Sequence, residues 1–351
     1  MMKNDMTGPL RTALLAITTA ALSACGGGGS DGGDALPSSG SYAITTASAT
    51  TLTNDLGASI DVMDAAYSLG FDMATTIADV DATSAGHHGR VSALQVWLKD
   101  PQVKRVASAS RRIAATSTST AACGWGGSIT VNFADQNNNL VVDGGDSATI
   151  TFNTCNISAD TRVNGTLVVS YNGTTTHNAS TGAFSMDATS RFTQLTVTEL
   201  SSARAVELNG DLKVVSRYTS STAGEDTVSA SSFSAVLRVN GVTNSSRSFE
   251  QLNWTMATNS VGTSTSDLSS LISSDLLGGR TVMLTTPVTL RSLSTEDYPS
   301  SGQIQLTGAN GGRMTITALN ATQARRDIDT NGDGTPEASA VLAWTTLLPT
   351  D

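Results

Sequence analysis

The sequence predicts a mainly β protein: a large antiparallel meander, as a curved sheet, half-barrel or sandwich, with one or two N-terminal helices packed on it. Three observations predict it. From Cys123 onward apolar residues alternate with polar ones, the period of a half-buried strand. Asn-Gly pairs recur at 164–165, 172–173, 209–210, 240–241, 310–311 and 331–332, the strongest short hairpin signal because both residues accept positive φ. Before Cys123 the apolar period is helical instead.

In the helical stretch, Leu52, Leu56, Ile60, Met63 and Tyr67 form one stripe on a helix over 46–69, with Asp55, Asp61 and Asp64 between them and Gly70 as its stop. A shorter helix over 90–99 carries Val91, Leu94 and Leu98, and Asp100-Pro101 reads as a cap and first-turn proline. Residues 114–121 are small and polar and read as a linker.

In the β region, Val206, Leu208, Leu212, Val214 and Tyr218 share one face of a run interrupted at Gly210, with Glu207, Asn209, Asp211, Lys213 and Arg217 opposite. Phe233, Ala235, Leu237 and Val239 repeat the alternation. So do Leu252, Trp254 and Met256, then Val282 and Leu284, then Met314, Ile316 and Ala318. Asn-Gly pairs that fall inside such runs are candidate bulges. About ten to fourteen strands follow, joined mostly in sequence order. One apolar face must be covered, by the sheet folding onto itself or by curving around the N-terminal helix.

The chain opens with Lys3 and Arg11, a short apolar run over 12–21, and then Leu22-Ser23-Ala24-Cys25. A basic start, a short apolar core and small residues before a cut site make a secretory signal. Leu-Ser-Ala-Cys resembles the lipobox of bacterial lipoproteins. The resemblance covers about the first 26 residues and implies that Cys25 is acylated, becomes the first mature residue, and anchors the chain to a membrane. Asp5 departs from the usual basic start. Gly26, where inner-membrane lipoproteins often carry Asp, favours the outer membrane under the family's sorting rule. Residues 1–24 are then the signal and 25–40 a lipidated Cys with a flexible Gly/Ser tether. Residues 41–120 are the helical segment and linker, and 121–351 the β domain.

Taking Lys3, Arg11 and Asp5 from 20 basic and 30 acidic residues leaves 18 and 29, a net charge of −11. That argues against nucleic acid as a partner. Aromatic residues make up 5% of the chain, too few for the girdles of an outer-membrane barrel. With Cys25 lipidated, Cys123 and Cys155 remain as a pair in an oxidising compartment, so a disulfide is expected, two free structural thiols being the alternative. Pairing Val131 with Ser147 and Ile129 with Thr149 would bring Cys123 opposite Cys155 at the base of a hairpin.

The tip of that hairpin carries oxygen side chains at Asp135, Asn137, Asn139, Asp143 and Asp146, with the backbone carbonyl of Val141 at position 7. It resembles EF-hand and dockerin calcium loops, since Ca²⁺ takes six to eight oxygens. It departs from them at Leu140, where those loops turn on Gly, and at Asp146, where the EF-hand has Glu. A second loop, Asp329, Asn331, Asp333, Thr335 and Glu337, has Gly334 at the turn position but Ala340 at position 12. The plain alternative for both is a polar turn that needs no metal.

No catalytic pattern is found. His87 and His88 sit together among glycines, and His177 has no visible partner. Lys99, Lys104, Arg105, Arg111 and Arg112 form a basic cluster, read as a solvated surface. Trp125, Trp254 and Trp344 are expected to pack in the core or on the disulfide. The expectation is a lipid-anchored, non-enzymatic binding or structural β module with calcium as its one candidate cofactor. The alternatives are a carrier of an apolar ligand, whose half-barrel would look like that of periplasmic lipoprotein carriers, and an enzyme with no recognisable motif.

Overall fold

The computed structural model describes residues 40–78 and 116–348. Cys25, the tether, the 90–99 helix, Asp100-Pro101, His87, His88 and the basic cluster lie outside the described residues.

Fifteen strands form one antiparallel sheet. They are β1 (Thr116–Ala122), β2 (Ser128–Ala134), β3 (Ser147–Asn156), β4 (Thr161–Tyr171), β5 (Thr176–Asn178), β6 (Ala183–Glu199), β7 (Arg204–Ser220) and β8 (Ala223–Val239). Then come β9 (Val242–Thr258), β10 (Thr263–Ser274), β11 (Thr281–Leu293), β12 (Ser301–Thr307), β13 (Arg313–Asn320), β14 (Gln323–Asp329) and β15 (Ala338–Ala343). Neighbours follow sequence order throughout, except that β4 pairs β6 and the short β5 pairs only β6. The sheet is not closed. The strand count exceeds the expected range because the polar β1 and β5 carry no apolar alternation.

The predicted linker at 114–121 is therefore corrected: Thr116–Ala122 is an edge strand on β2. Its Thr and Ser residues suit a strand without marking one. The predicted hairpin register is also corrected. Val131 pairs Ile150 and Ile129 pairs Phe152, three residues from the expected pairing. Cys123 and Cys155 still form a disulfide, with Cα atoms 5.4 Å apart. The two lie outside the β2–β3 ladder: Cys123 opens the β1–β2 turn, and Cys155 follows Thr154, which has positive φ. In the loop-entropy description a bridge of this span contributes roughly 3–4 kcal/mol.

The helix α1 (Ala49–Ala78) begins where Thr45 and Ser48 exchange backbone-to-hydroxyl bonds of 2.9 and 3.2 Å, a reciprocal cap. The expected stop at Gly70 is corrected, for the helix continues through Phe71, Met73, Ala74 and Ile77, all buried. Gly70 marks a close approach: a Cβ there would lie 2.9 Å from the Ser190 hydroxyl.

The sheet curves around this helix. Thr53 accepts a bond from Arg326 of β14 and reaches Met314 of β13, whereas Asp55 meets Arg247 of β9. At 100° per residue, Thr53 and Asp55 face opposite ways. On a flat sheet β9 and β13 would stand about 19 Å apart, too far for one helical turn to touch both. Nearer the C-terminus, Tyr67 meets Trp254 edge-on at 6.0 Å, Phe71 meets Phe184 at 6.2 Å, and Tyr171 Oη donates to the Ala74 carbonyl at 2.7 Å. The five consecutive residues Asp55–Ser59 are all buried, and five residues cover the whole helix circumference.

A line of bulges lets the long strands bend. Register shifts follow one another across the sheet, between Asn164 and Thr166, between Phe192 and Leu195, between Gly210 and Lys213, and on through β10 and β11. Asn164-Gly165 and Asn209-Gly210 sit on this line, as bulges inside strands. Asn240-Gly241 instead closes the β8–β9 hairpin, with φ of 52° and 77°. The convex face is polar and carries cross-strand ion pairs, Arg191–Asp211 at 2.7 Å, Lys213–Asp187 at 3.2 Å and Arg238–Glu207 at 3.0 Å. Among the described residues, no helix is long and apolar enough to cross a membrane.

The bulge line supplies a test. Gly165 has φ +111°, and a Cβ there would lie 2.3 Å from the Gln194 carbonyl oxygen. Gly165→Ala should lower stability by about 1–3 kcal/mol. Gly173→Ala, where a Cβ meets nothing within 4 Å, should change it little. Urea midpoints compare the two, and equal midpoints would contradict the bulge assignment.

Candidate functional site

Consecutive hairpins put alternate connections at opposite ends of the sheet. One end, here called proximal, carries the disulfide turn, the β8–β9 and β10–β11 turns and the loop after β14. Gly40 and Tyr42 pair with Thr281, the first residue of β11, so the described chain starts at this end. The distal end carries the loop between β2 and β3. The two predicted calcium loops are therefore far apart, and each must be judged alone.

The distal loop spans Asp135 to Asp146, both buried. Asp135 accepts the amides of Asn139 (3.3 Å) and Leu140 (2.8 Å) on its two oxygens. Asn137 accepts the Asn139 amide at 3.1 Å, and Asn139 accepts that of Val141 at 2.7 Å. Asp146 holds the amides of Gln136 and Asp143, each at 3.0 Å. The Asp143 carboxylate receives the Asn137 and Asn139 side-chain amides at 3.1 and 2.7 Å. Leu140 departs from the Gly of this position yet takes the same backbone, with φ 62°.

The proximal loop repeats the pattern. Asp329 accepts Gly332 (2.7 Å) and Gly334 (2.9 Å), Asn331 accepts Asp333 (2.9 Å), and Asp333 accepts Thr335 (2.7 Å). The Thr335 amide, and then the Asn331 side chain, hold the Asp333 carboxyl below the ordinary carboxylate value. Glu337 turns to the Thr330 amide at 2.6 Å. In both loops position 1 is bonded to position 6, position 3 to position 5, and position 5 to position 7. Short Asx residues thus fold the backbone around their own oxygens. The donors are hard oxygens, which fit calcium better than zinc or copper. Among the described residues, no three His, Cys, Asp or Glu side chains are grouped so as to hold a metal.

Two buried polar clusters under the sheet were not foreseen. Asp226 of β8 is 2% exposed and accepts the Ser216 hydroxyl at 2.5 Å and the Tyr218 hydroxyl. Tyr67 of α1 lies against the same carboxylate; burial first, then Asp226, raises its pKa and that of Tyr218 above the ordinary tyrosine value. Asp55, read from the sequence as lying between the apolar positions, is buried against Arg247 at 3.4 Å, the side chains 3% and 2% exposed. Burial raises the Asp55 pKa, outweighing the opposing pull of Arg247 and the hydrogen bond from Ser274. Strand parity was a usable signal. Asp226 shares a face with Val228, Ser216 with Val214, and Arg247 with Phe249.

Trp97 lies outside the described residues, and the three described tryptophans divide. Trp254 and Trp344 are buried as expected, although Trp344 opens a short helix, α2 (Trp344–Leu347), rather than lying in a strand. Trp125 is corrected: it is 64% exposed, because the glycines around it carry it out on the β1–β2 turn. His177 lies exposed on β5. No family model, no curated protein and no solved structure matches this chain.

Asp55 gives a pH test. A folded-state pKa above the unfolded value means that its contribution is full below about pH 4 and is lost as pH rises through the folded pKa. Across that window Asp55→Asn should lose less stability than the parent as pH rises. Parallel melting-temperature profiles for the two would contradict the assignment.

Proposed function

We propose that this chain is a lipid-anchored protein of the bacterial cell envelope, held at the outer membrane through Cys25. Its exported part is a non-enzymatic β module with structural or binding duties. The observation that carries the reading is Leu22-Ser23-Ala24-Cys25 at the end of a short apolar run behind basic residues. The disulfide supports an oxidising compartment. The ion-paired convex face supports a body that stands in water. The helix packed into the concave face supports a structural module over a carrier, whose ligand would need that space.

Calcium is the cofactor proposed for the two Asx loops. Asp135, Asn137, Asn139, Asp143 and Asp146 would hold it at the distal end, with the Val141 carbonyl. Asp329, Asn331, Asp333, Thr335 and Glu337 would hold it at the proximal end. A bound ion would neutralise the clustered carboxylates and stiffen loops whose backbone wraps around the Asx side-chain oxygens.

Two measurements test these statements separately. Cells fed labelled palmitate should incorporate it into the parent protein and not into Cys25→Ser, which should leave the membrane fraction; an unlabelled parent would end the lipoprotein reading. Saturating calcium should raise the melting temperature by about 5 °C or more relative to chelator. The combined variant Asp143→Asn, Asp333→Asn should lose most of that rise. Identical melting in calcium and chelator would remove the metal.

A further inference from the structure

We infer that the proximal rim of the sheet contacts the bilayer, with Trp125, Val242 and Leu276 entering the headgroup region of a zwitterionic phospholipid surface. The inference rests on the lipoprotein reading above and adds an orientation to it.

The first support is where the chain enters the fold. The Gly40 carbonyl accepts the Thr281 amide, the Tyr42 amide donates to the Thr281 carbonyl, and the Tyr42 carbonyl accepts the Ala309 amide, so the end of the tether is fixed at the proximal rim. From Cys25 to Gly40 the chain runs fifteen residue steps. A Gly-rich chain of that length has a root-mean-square span of about 20–23 Å and a full extension of about 50 Å. The 30-residue helix α1 measures the body, about 45 Å from the proximal to the distal end. The proximal rim therefore lies within ordinary reach of the anchoring membrane. The distal end, which also exposes Leu140, Val141 and Val261, could reach it only with the tether near its limit.

The second support is what the proximal rim displays. Trp125 is 64% exposed on the β1–β2 turn, Val242 70% at the start of β9, and Leu276 42% in the 3-10 turn between β10 and β11. Trp125 is held out rather than left loose. Its amide bonds the Asn156 carbonyl at 3.2 Å, its carbonyl accepts the Asn156 side chain at 3.0 Å, and the disulfide closes the turn two residues away. Gly127 permits the turn, since a Cβ there would lie 2.0 Å from the Thr154 carbonyl oxygen. An exposed indole on a rigid turn combines an apolar body with one N–H donor, the combination that partitions to the headgroup level. The charges on the same rim are of both signs, Asp160 and Asp275 beside the exposed Arg280, which suits a zwitterionic surface better than an anionic one.

The test uses the full-length lipidated protein in phosphatidylcholine–phosphatidylethanolamine vesicles, with and without brominated acyl chains. Flotation comes first. Protein that fails to float overturns the lipoprotein reading and this inference with it. In floated protein carrying Trp97→Phe throughout, brominated chains should quench tryptophan emission, and Trp125→Phe should abolish most of that quenching. Leu276→Asn should weaken it with Trp125 still in place, and unchanged melting temperatures should show both variants folded. Floated protein whose quenching is the same in parent and Trp125→Phe overturns the inference while leaving the anchor intact.

Discussion

An open antiparallel sheet with one apolar face leaves that face to be covered, and here α1 covers it. The apolar alternation of strand after strand points inward because a helix with its own apolar stripe lies there to be packed against. The curvature follows, since strands as distant as β9 and β13 must reach opposite sides of one helical turn. The bulge line follows too. Strands of 17 residues would run straight past a helix unless each were bent at a matching level. The buried polar contacts then fix helix against sheet: Tyr171 on the Ala74 carbonyl, Arg247 on Asp55, and the Asp226 hydroxyl cluster beside Tyr67. Leaving any of these partners unmatched under the sheet would cost on the order of 1–3 kcal/mol.

The same packing bears on function. A half-barrel that carries an apolar ligand keeps its concave face available, whereas this one gives much of it to Leu52, Leu56, Met63, Tyr67 and Phe71. What remains for outside contact is the rims and the polar convex face. The Asx loops stand at opposite ends, so two bound ions would stiffen separate connections and would not make one composite centre. Under the proposed lipid anchoring, the body would act as a spacer, and the tether would set which of its two ends meets the membrane.

Much of the architecture was legible in the chain. Period-two alternation placed Leu212, Val214, Phe233, Ala235, Leu252 and Ile316 inside, where they are. The Asn-Gly pairs marked both hairpins and bulges, and only the surrounding alternation at Asn209-Gly210 told one from the other. What failed had a physical cause in each case. Glycine weakens helices, so Gly70 reads as a stop in the sequence, but the close approach of Ser190 makes the missing side chain an asset. The disulfide was expected but its register was not, because the turn at Cys123 and the bulge at Thr154 shift the ladder relative to the bridge. Asp226, Arg247 and Asp55 were missed because charge suggested solvent, although strand parity placed the first two on the buried face. Trp125, beside Cys123, reads as packing on the disulfide or in the core, but the glycines on either side of it carry it out on the turn.

The account depends on α1 being an integral part of the core and not a removable occupant of a binding groove. Hydrogen exchange resolved along residues 52–77 measures this directly. The account predicts that these amides exchange only with global unfolding, with the same free energy and denaturant dependence as the central strands β7 and β8. Exchange of the helix through a separate, lower-energy opening while those strands stay protected would show a groove from which the helix can leave, and would contradict it.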